Sequence, residues 1–416
     1  MTVSKLYTLE VENKALKTYV GLRLFSSLFF AVIVTVNLVY QATVVGLNPL
    51  QLVLVGTLLE VVSFLFEVPT GIVADLYSRK LSVIIGVFLI GIGFTIEGSI
   101  PTFAAVLLAQ VVWGIGFTFV SGAREAWIAD EVGEEKAGKA FMKGQQASQL
   151  GTFVGIAISM ALASIDIRVP IILGGILYSV QALFLVFFMP ENNFSPTPIK
   201  ERETLNSMKR TLIGGLKLIR ESKVLLFVIL TGMIFGMFSE GFDRLWTPYM
   251  LNSFVFPTIW NLKPVVWFGI ISMVATLLAT IVTEVLSRKT DTYDHKSTVK
   301  ALFVVNLLLT LGVVAFGFAG GFVAAIAAYW FASMFREARG PIYDAWTNQN
   351  LEPKVRATVF SMCSQANAMG QIVGGPILGI VASIFAIRTS IVVAGLVLIP
   401  TLFLYNYSLR KHKLAI

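Results

Sequence analysis

Glu67-Val-Pro-Thr-Gly-Ile-Val-Ala-Asp-Leu-Tyr-Ser-Arg-Lys80 closes an apolar run that begins at Pro49, and a second apolar run starts at Leu81 and continues to about Ile100. A helix of about 20 apolar residues crosses roughly 30 Å of hydrocarbon. The stretch therefore reads as two membrane-spanning helices joined by a short charged turn. An acid lies inside the first helix. Asp75, Arg79 and Lys80 lie at its end.

The same reading extends outward to twelve spans, at about 19–43, 49–74, 81–100, 102–128, 141–164, 168–189, 223–250, 262–286, 298–318, 320–345, 357–382 and 386–408. Composition agrees. Of 416 residues, 56% are apolar and 13% charged, where a soluble protein carries about 25% charged residues. The predicted fold class is an all-α membrane protein with twelve transmembrane helices in two six-helix halves. The halves are residues 1–189 and 223–416, joined by a linker at 190–222. In the linker, Leu205, Met208, Leu212, Leu216 and Ile219 recur at helical spacing among basic residues, which predicts an amphipathic surface helix.

The net charge of +8 would point to nucleic acid in a soluble protein. Here topology accounts for it. Of 32 Lys and Arg residues, 24 fall at the termini, in alternate loops or within the first three residues of the spans that follow those loops, three (Arg168, Lys263, Arg388) stand at the span ends beside the opposite loops, and five lie deeper inside spans. The positive-inside rule then places both termini in the cytoplasm of a cell bearing this chain in its plasma (inner) membrane. The lipid bilayer is the expected partner and nucleic acid is excluded. The one cysteine, Cys363, allows neither an internal disulfide nor a cysteine metal site. No metal or cofactor is expected. Gly133-Glu-Glu-Lys-Ala-Gly138-Lys139-Ala140 approaches a phosphate-binding loop but lacks the Ser/Thr that meets Mg²⁺. No G-x-S-x-G or H-E-x-x-H occurs, so an enzyme is not indicated.

The two halves repeat. Glu284, Ser287, Arg288 and Lys289 match Asp75, Ser78, Arg79 and Lys80 at an offset of 209, and Trp346, Gln365, Gly370 and Gly374 match Trp127, Gln146, Gly151 and Gly155 at 219.

The pattern Gly71, Asp75, Arg79, Lys80 resembles the helix 2–3 signature of the major facilitator superfamily, with Ser78 where a second glycine is usual. The resemblance implies parallel six-helix halves with a substrate site between them near the midplane. It also implies that Gly71, Asp75, Arg79 and Lys80, and their mates Glu284, Arg288 and Lys289, act as gate latches. Glu67-x-Pro69 with Asp75, Arg79, Lys80 and the acids Glu60 and Glu97 is similar to a subgroup of tetracycline exporters, in which span-two acids matter for transport. Drug antiporters of the family often carry an Arg in span four before G-x-G and a Gly-Pro motif in span five. Here Gln110 precedes Gly114-x-Gly116, and the Gly-Pro is Gly375-Pro376 in span eleven.

Ionisable residues within spans mark function. Counted from Asp75, Glu67 lies roughly 12 Å and Glu60 roughly 22 Å into the bilayer at 1.5 Å per residue. These two, with Glu97 near the outer end of span three, are the candidate proton carriers. Glu97 is the weaker candidate, because an acid at that level can be merely interfacial. Arg124 is a candidate gate residue. Glu240 and Arg244 are spaced to pair on one face. Arg336, roughly 15 Å deep by helical rise, calls for a cavity or a carboxylate. Arg336 and the amides Asn37, Gln41, Gln145, Gln149, Gln365 and Gln371 are the candidate substrate contacts, since amides facing lipid are costly. Trp246, Tyr249, Trp260 and Trp267 read as an outer aromatic belt. The expected activity is proton-coupled efflux of a small lipophilic, drug-like solute by a monomer. The alternative is proton-coupled uptake of a sugar, peptide or organic anion. A receptor or membrane-bound enzyme fits less well, because no large extramembrane segment is present.

Overall fold

The computed structural model describes residues 3–196, 223–258, 262–349, 351 and 356–411. The amphipathic helix expected at 205–219 lies outside the described residues, as does Trp260. Fourteen helices are described. They are α1 (Val3–Thr43), α2 (Pro49–Leu76), α3 (Arg79–Ser99), α4 (Phe103–Val120), α5 (Ala123–Val132), α6 (Glu134–Ala163) and α7 (Arg168–Phe188). Then come α8 (Lys223–Ser253), α9 (Pro264–Lys289), α10 (His295–Gly317), α11 (Phe322–Gln349), α12 (Arg356–Ile384), α13 (Ile387–Val397) and α14 (Ile399–Lys411).

The helices begin where side chains can satisfy the orphan N–H groups of a first turn. Asn48 and Gln51 exchange backbone-to-side-chain bonds of 2.9 and 3.0 Å at the start of α2, a reciprocal cap. Ser78, Thr102 and Asp294 accept from the third residue beyond them and cap α3, α4 and α10. Eleven membrane-length apolar segments are present among the described residues. One of these joins α4 to α5, and another joins α13 to α14. The twelfth expected span is α11, 28 residues long. It differs from the others in carrying Arg336, Glu337, Arg339 and Asp344.

Span four departs from the expected continuous helix. The chain breaks after Val120, and Gly122 takes φ of 73°, a conformation that costs glycine little and other residues more. The break places Arg124 and Glu125 in the first turn of a new helix, α5.

Two compact units are present, one of Met1–Gly46 with Leu58–Arg202, the other of Leu47–Thr57 with Glu203–Ile416. Within the first, α1 packs on α6, and α3 packs on α4 and α7. Within the second, α8 packs on α12, and α11 packs on α9 and α10. The glycine repeat explains one feature common to both. A Cβ on Gly151 of α6 would run into the backbone oxygen of Leu24 in α1, and a Cβ on Gly370 of α12 into that of Met233 in α8. Each glycine lets two helix backbones meet, which side-chain packing in lipid requires.

Gly151→Val and Gly370→Val should each lower the melting temperature of the detergent-solubilised protein. Overpacking of this kind costs about 1–3 kcal/mol. Gly138→Ala, at an exposed helical site where a Cβ meets nothing within 4 Å, should leave the temperature unchanged or raise it. Equal melting of all three variants would contradict this account of the glycines.

Candidate functional site

The first unit holds a cavity of about 610 Å³. Phe30, Trp113 and Phe117 supply its aromatic wall, Val34 and Leu59 aliphatic surface, and Glu60, Arg124 and Glu125 its charged groups. The aromatic wall is itself packed: Trp113 stacks on Phe94 at 5.1 Å between ring centres, and Phe30 meets both. At one side of the cavity, Arg124 donates twice to Glu125 Oε1, at 2.7 and 2.9 Å. Arg23 of α1 lies 3.7 Å from the same carboxylate and donates to Gln145 at 2.8 Å. One carboxylate is thus shared by two guanidinium groups.

The expected proton carriers fall in different surroundings. Glu60 is half-buried and lines the cavity. Glu67 is exposed and does not line it. Glu97, expected near an interface, is completely buried. Gln41 Nε2 of α1 donates to its Oε1 at 2.6 Å, and Gln110 Nε2 of α4 to its Oε2 at 3.2 Å. Its position in the sequence placed it near the outer end of α3, but α1 and α4, which supply its partners, bury it.

The amides divide similarly. Gln41 serves Glu97, and Gln145 serves Arg23. Asn37 is half-buried with an unpartnered Oδ1, and Gln149 is exposed. None of the four lines the cavity. In the second unit, Gln371 donates to Asn367 Oδ1 at 2.9 Å, and Asn367 donates to the Gly232 carbonyl at 3.1 Å. That chain ties α12 to α8. Gln365 is half-buried. Arg336 meets a carboxylate: it grips Asp243 of α8 with both terminal nitrogens, the planar two-point geometry that suits guanidinium. One turn earlier on α8, Glu240 pairs with Arg244 at 3.1 Å. Arg339 lies between the rings of Phe235 and Tyr343, 4.0 and 4.6 Å from their centres. Tyr249 is not a belt residue: it is 2% exposed, and its hydroxyl donates to the Gly317 carbonyl at 3.1 Å.

The α2–α3 turn is tied into its own unit by residues the sequence did not single out. Arg79 pairs with Asp130 of α5 and donates to the Ala126 carbonyl at 2.8 Å, with Asp75 3.7 Å away. Glu191 accepts from the Ser78 hydroxyl at 2.6 Å and from the Lys80 N–H at 2.8 Å. Glu131 accepts from the N–H groups of Asn192 and Asn193 at 2.7 and 3.0 Å, and Trp127 donates to the Pro190 carbonyl at 2.6 Å. Ser78 thus has two tasks that glycine could not perform. It caps α3 at Leu81 and binds Glu191.

The second copy of the motif is built differently. Ser287 lies inside α9 and donates to the Glu284 carbonyl within the helix. Arg288 pairs with Glu284 one turn back at 2.6 Å, and both are largely exposed. The residue matching Asp130 is Gln349, whose amide donates to Thr298 at 2.9 Å and to the Thr292 carbonyl. The sequence match at Ser287 is therefore not a match in role.

Ser78→Ala should remove a cap, a loss of about 1 kcal/mol, together with the Glu191 contact. Amide hydrogen exchange should speed up across residues 78–82, whereas Ser287→Ala should leave residues 286–290 unchanged. Equal responses at the two sites would show the copies to be equivalent after all.

The sequence pattern described as Major Facilitator Superfamily (MFS_1) matches residues 20–338. The "Uncharacterized MFS-type transporter YxaM" of Bacillus subtilis (strain 168) is 26% identical over 357 residues, 86% of this chain and 87% of that one. Among solved structures, nucleoside transporter NupG is similar with a TM-score of 0.73 at 14% identity, over 95% of this chain and 98% of that one. A bacterial homolog of the human lysosomal transporter Spinster has a TM-score of 0.75 at 13% identity, over 96% and 97%. Peptide transporter POT in complex with sulfate has a TM-score of 0.75 at 13% identity, over 98% of both chains. These likenesses share the fold and differ in cargo. Together with the family pattern, which spans most of the chain, they identify this protein as a member of the major facilitator superfamily, a secondary transporter and not an enzyme.

Proposed function

We propose that the protein exports a small lipophilic, drug-like solute by alternating access, driven by protons returning through the same chain. One observation carries this reading: the cavity of about 610 Å³ in the first unit, with its aromatic wall and the carboxyl of Glu60. The volume suits a small molecule. Phe30, Trp113 and Phe117 offer a stacking surface for a lipophilic ring system, and Ser26, Ser27, Ser63, Ser121 and Thr152 give the same cavity hydroxyl groups for polar substituents. An acid in such a wall favours a cationic or zwitterionic solute, and ring faces attract cations as well. The charge distribution supports both termini on the cytoplasmic side; on this reading the α2–α3 turn lies at the cytoplasmic face and acts as a gate.

The uptake alternative draws on Arg336 as a counter-charge for an anionic solute. That guanidinium is already matched by Asp243. An anion would have to displace a two-point ion pair to use it.

The exporter reading is tested with inverted membrane vesicles and an imposed proton gradient, with tetracycline and ethidium as probes. Wild-type vesicles should accumulate at least one probe when the gradient is applied. Glu60→Gln should reduce gradient-driven accumulation about tenfold or more, while Glu67→Gln should reduce it less. Undiminished accumulation in Glu60→Gln removes that carboxyl from the cycle. Wild-type vesicles that ignore the gradient with both probes refute the exporter reading.

A further inference from the structure

Trp113 belongs to two structures at once. Its ring lines the cavity, and its indole N–H donates to Gln110 Oε1 at 2.9 Å. An indole nitrogen only donates. The oxygen of Gln110 is thereby committed to Trp113, and its NH₂ group must point the other way, to Glu97 Oε2 at 3.2 Å. That bond serves the carboxylate form of Glu97. Gln41 carries no such commitment. Its Nε2 donates to Glu97 Oε1 at 2.6 Å, and its own Oε1 is buried without a partner on a side chain that is 0% exposed. Half a turn of the Gln41 amide would set that oxygen against Glu97 Oε1, a contact that needs a proton on the carboxyl. One amide is fixed and suits the charged form. The other suits either form.

We infer that Glu97, with Gln41, Gln110 and Trp113, is a proton-binding site whose occupancy the cavity controls through Trp113. The inference rests on the proton-coupled reading above and adds the site at which the proton is held. The step is simple to balance. A proton from water bonds to Glu97 Oε1, the carboxylate becomes a carboxylic acid, and the Gln41 amide turns to accept it. A solute that shifts the Trp113 ring removes the partner that orients Gln110, and with it the donor that favours the carboxylate.

Charged and titratable groups also stand on the elements packed around Glu97. From α1, the Tyr40 hydroxyl donates to the Glu97 backbone carbonyl at 2.7 Å. From α4, Phe103–Val120 contributes no titratable residue. From α7, Arg168 stands in the first turn and pairs with Asp166 at 3.2 Å. On α3 itself, Arg79 and Lys80 stand at the opposite end.

Infrared difference spectra of the purified full-length protein in lipid nanodiscs, recorded across pH without any solute, test the site. A buried carboxylic acid band should vanish as pH rises. Glu97→Gln should lack this change, while Glu60→Gln and Glu67→Gln should keep it. Gln110→Leu removes a donor that serves the anion, so the acid band should persist to higher pH, by on the order of one pH unit or more. Gln41→Leu removes a partner of both forms and should move the midpoint less. An unchanged spectrum in Glu97→Gln overturns the assignment. An unmoved midpoint in Gln110→Leu does so too, and that variant keeps the test open should Glu97→Gln fail to fold. Vesicles that ignore a proton gradient, with the Glu97 titration intact, would refute the exporter reading and leave the proton site standing.

Discussion

A carboxyl group in the apolar interior of a membrane protein has to be met by hydrogen bonds, because no water is there to meet it. Glu97 is the clearest case in this chain. It is wholly buried and takes donors from α1 and α4 while sitting on α3. Three helices are therefore held to one carboxyl, and Trp113 extends the set to the cavity wall. The cavity wall and the acid thus belong to one hydrogen-bonded set.

The two units solve the same packing problem in the same way and the same electrostatic problem in different ways. Gly151 and Gly370 each allow a backbone-to-backbone approach, so the repeat is preserved where shape is at stake. The loop motifs have diverged. Arg79 is held by Asp130 on a different helix and lies beside the Glu191 contacts, whereas Arg288 pairs only one turn back along its own helix. An exposed pair of that kind is worth little. A cross-helix pair braced by a capped turn is a sturdier tie. The α2–α3 turn is thus bound into its unit, and the copy after α9 is a helix end with a charged surface.

The fold was legible in the sequence because bilayer thickness imposes a length on every span, and length is a one-dimensional property. The break at Gly122 was less so: a single glycine in an apolar run says nothing of its φ. The candidate site was legible in part. Burial cost picked out Glu60, Glu97 and Arg336 as residues needing an explanation. It could not name Asp243 as the partner of Arg336, 93 positions away, because pairing across helices depends on how they are rotated. Asp130, Glu131 and Glu191 passed unnoticed for a related reason. At span ends acids are cheap and carry no signal until the turn they bind is seen. Ser287 misled because an identical residue in register had moved from a cap position to a helix interior.

Gln110 draws these threads together. On the exporter resemblance drawn from the sequence, an Arg would be expected at this point of span four. A guanidinium at that position, within reach of Glu97, would pair with the carboxylate and hold it charged, since an opposite charge close by favours the ionised form. Glutamine reaches the same oxygen without that bias. It offers that oxygen one neutral hydrogen bond in place of a full opposite charge. Its orientation is set by an aromatic ring that belongs to the cavity. Where an arginine would make a charge pair, this chain places a neutral hydrogen bond whose amide is oriented by a residue of the cavity wall.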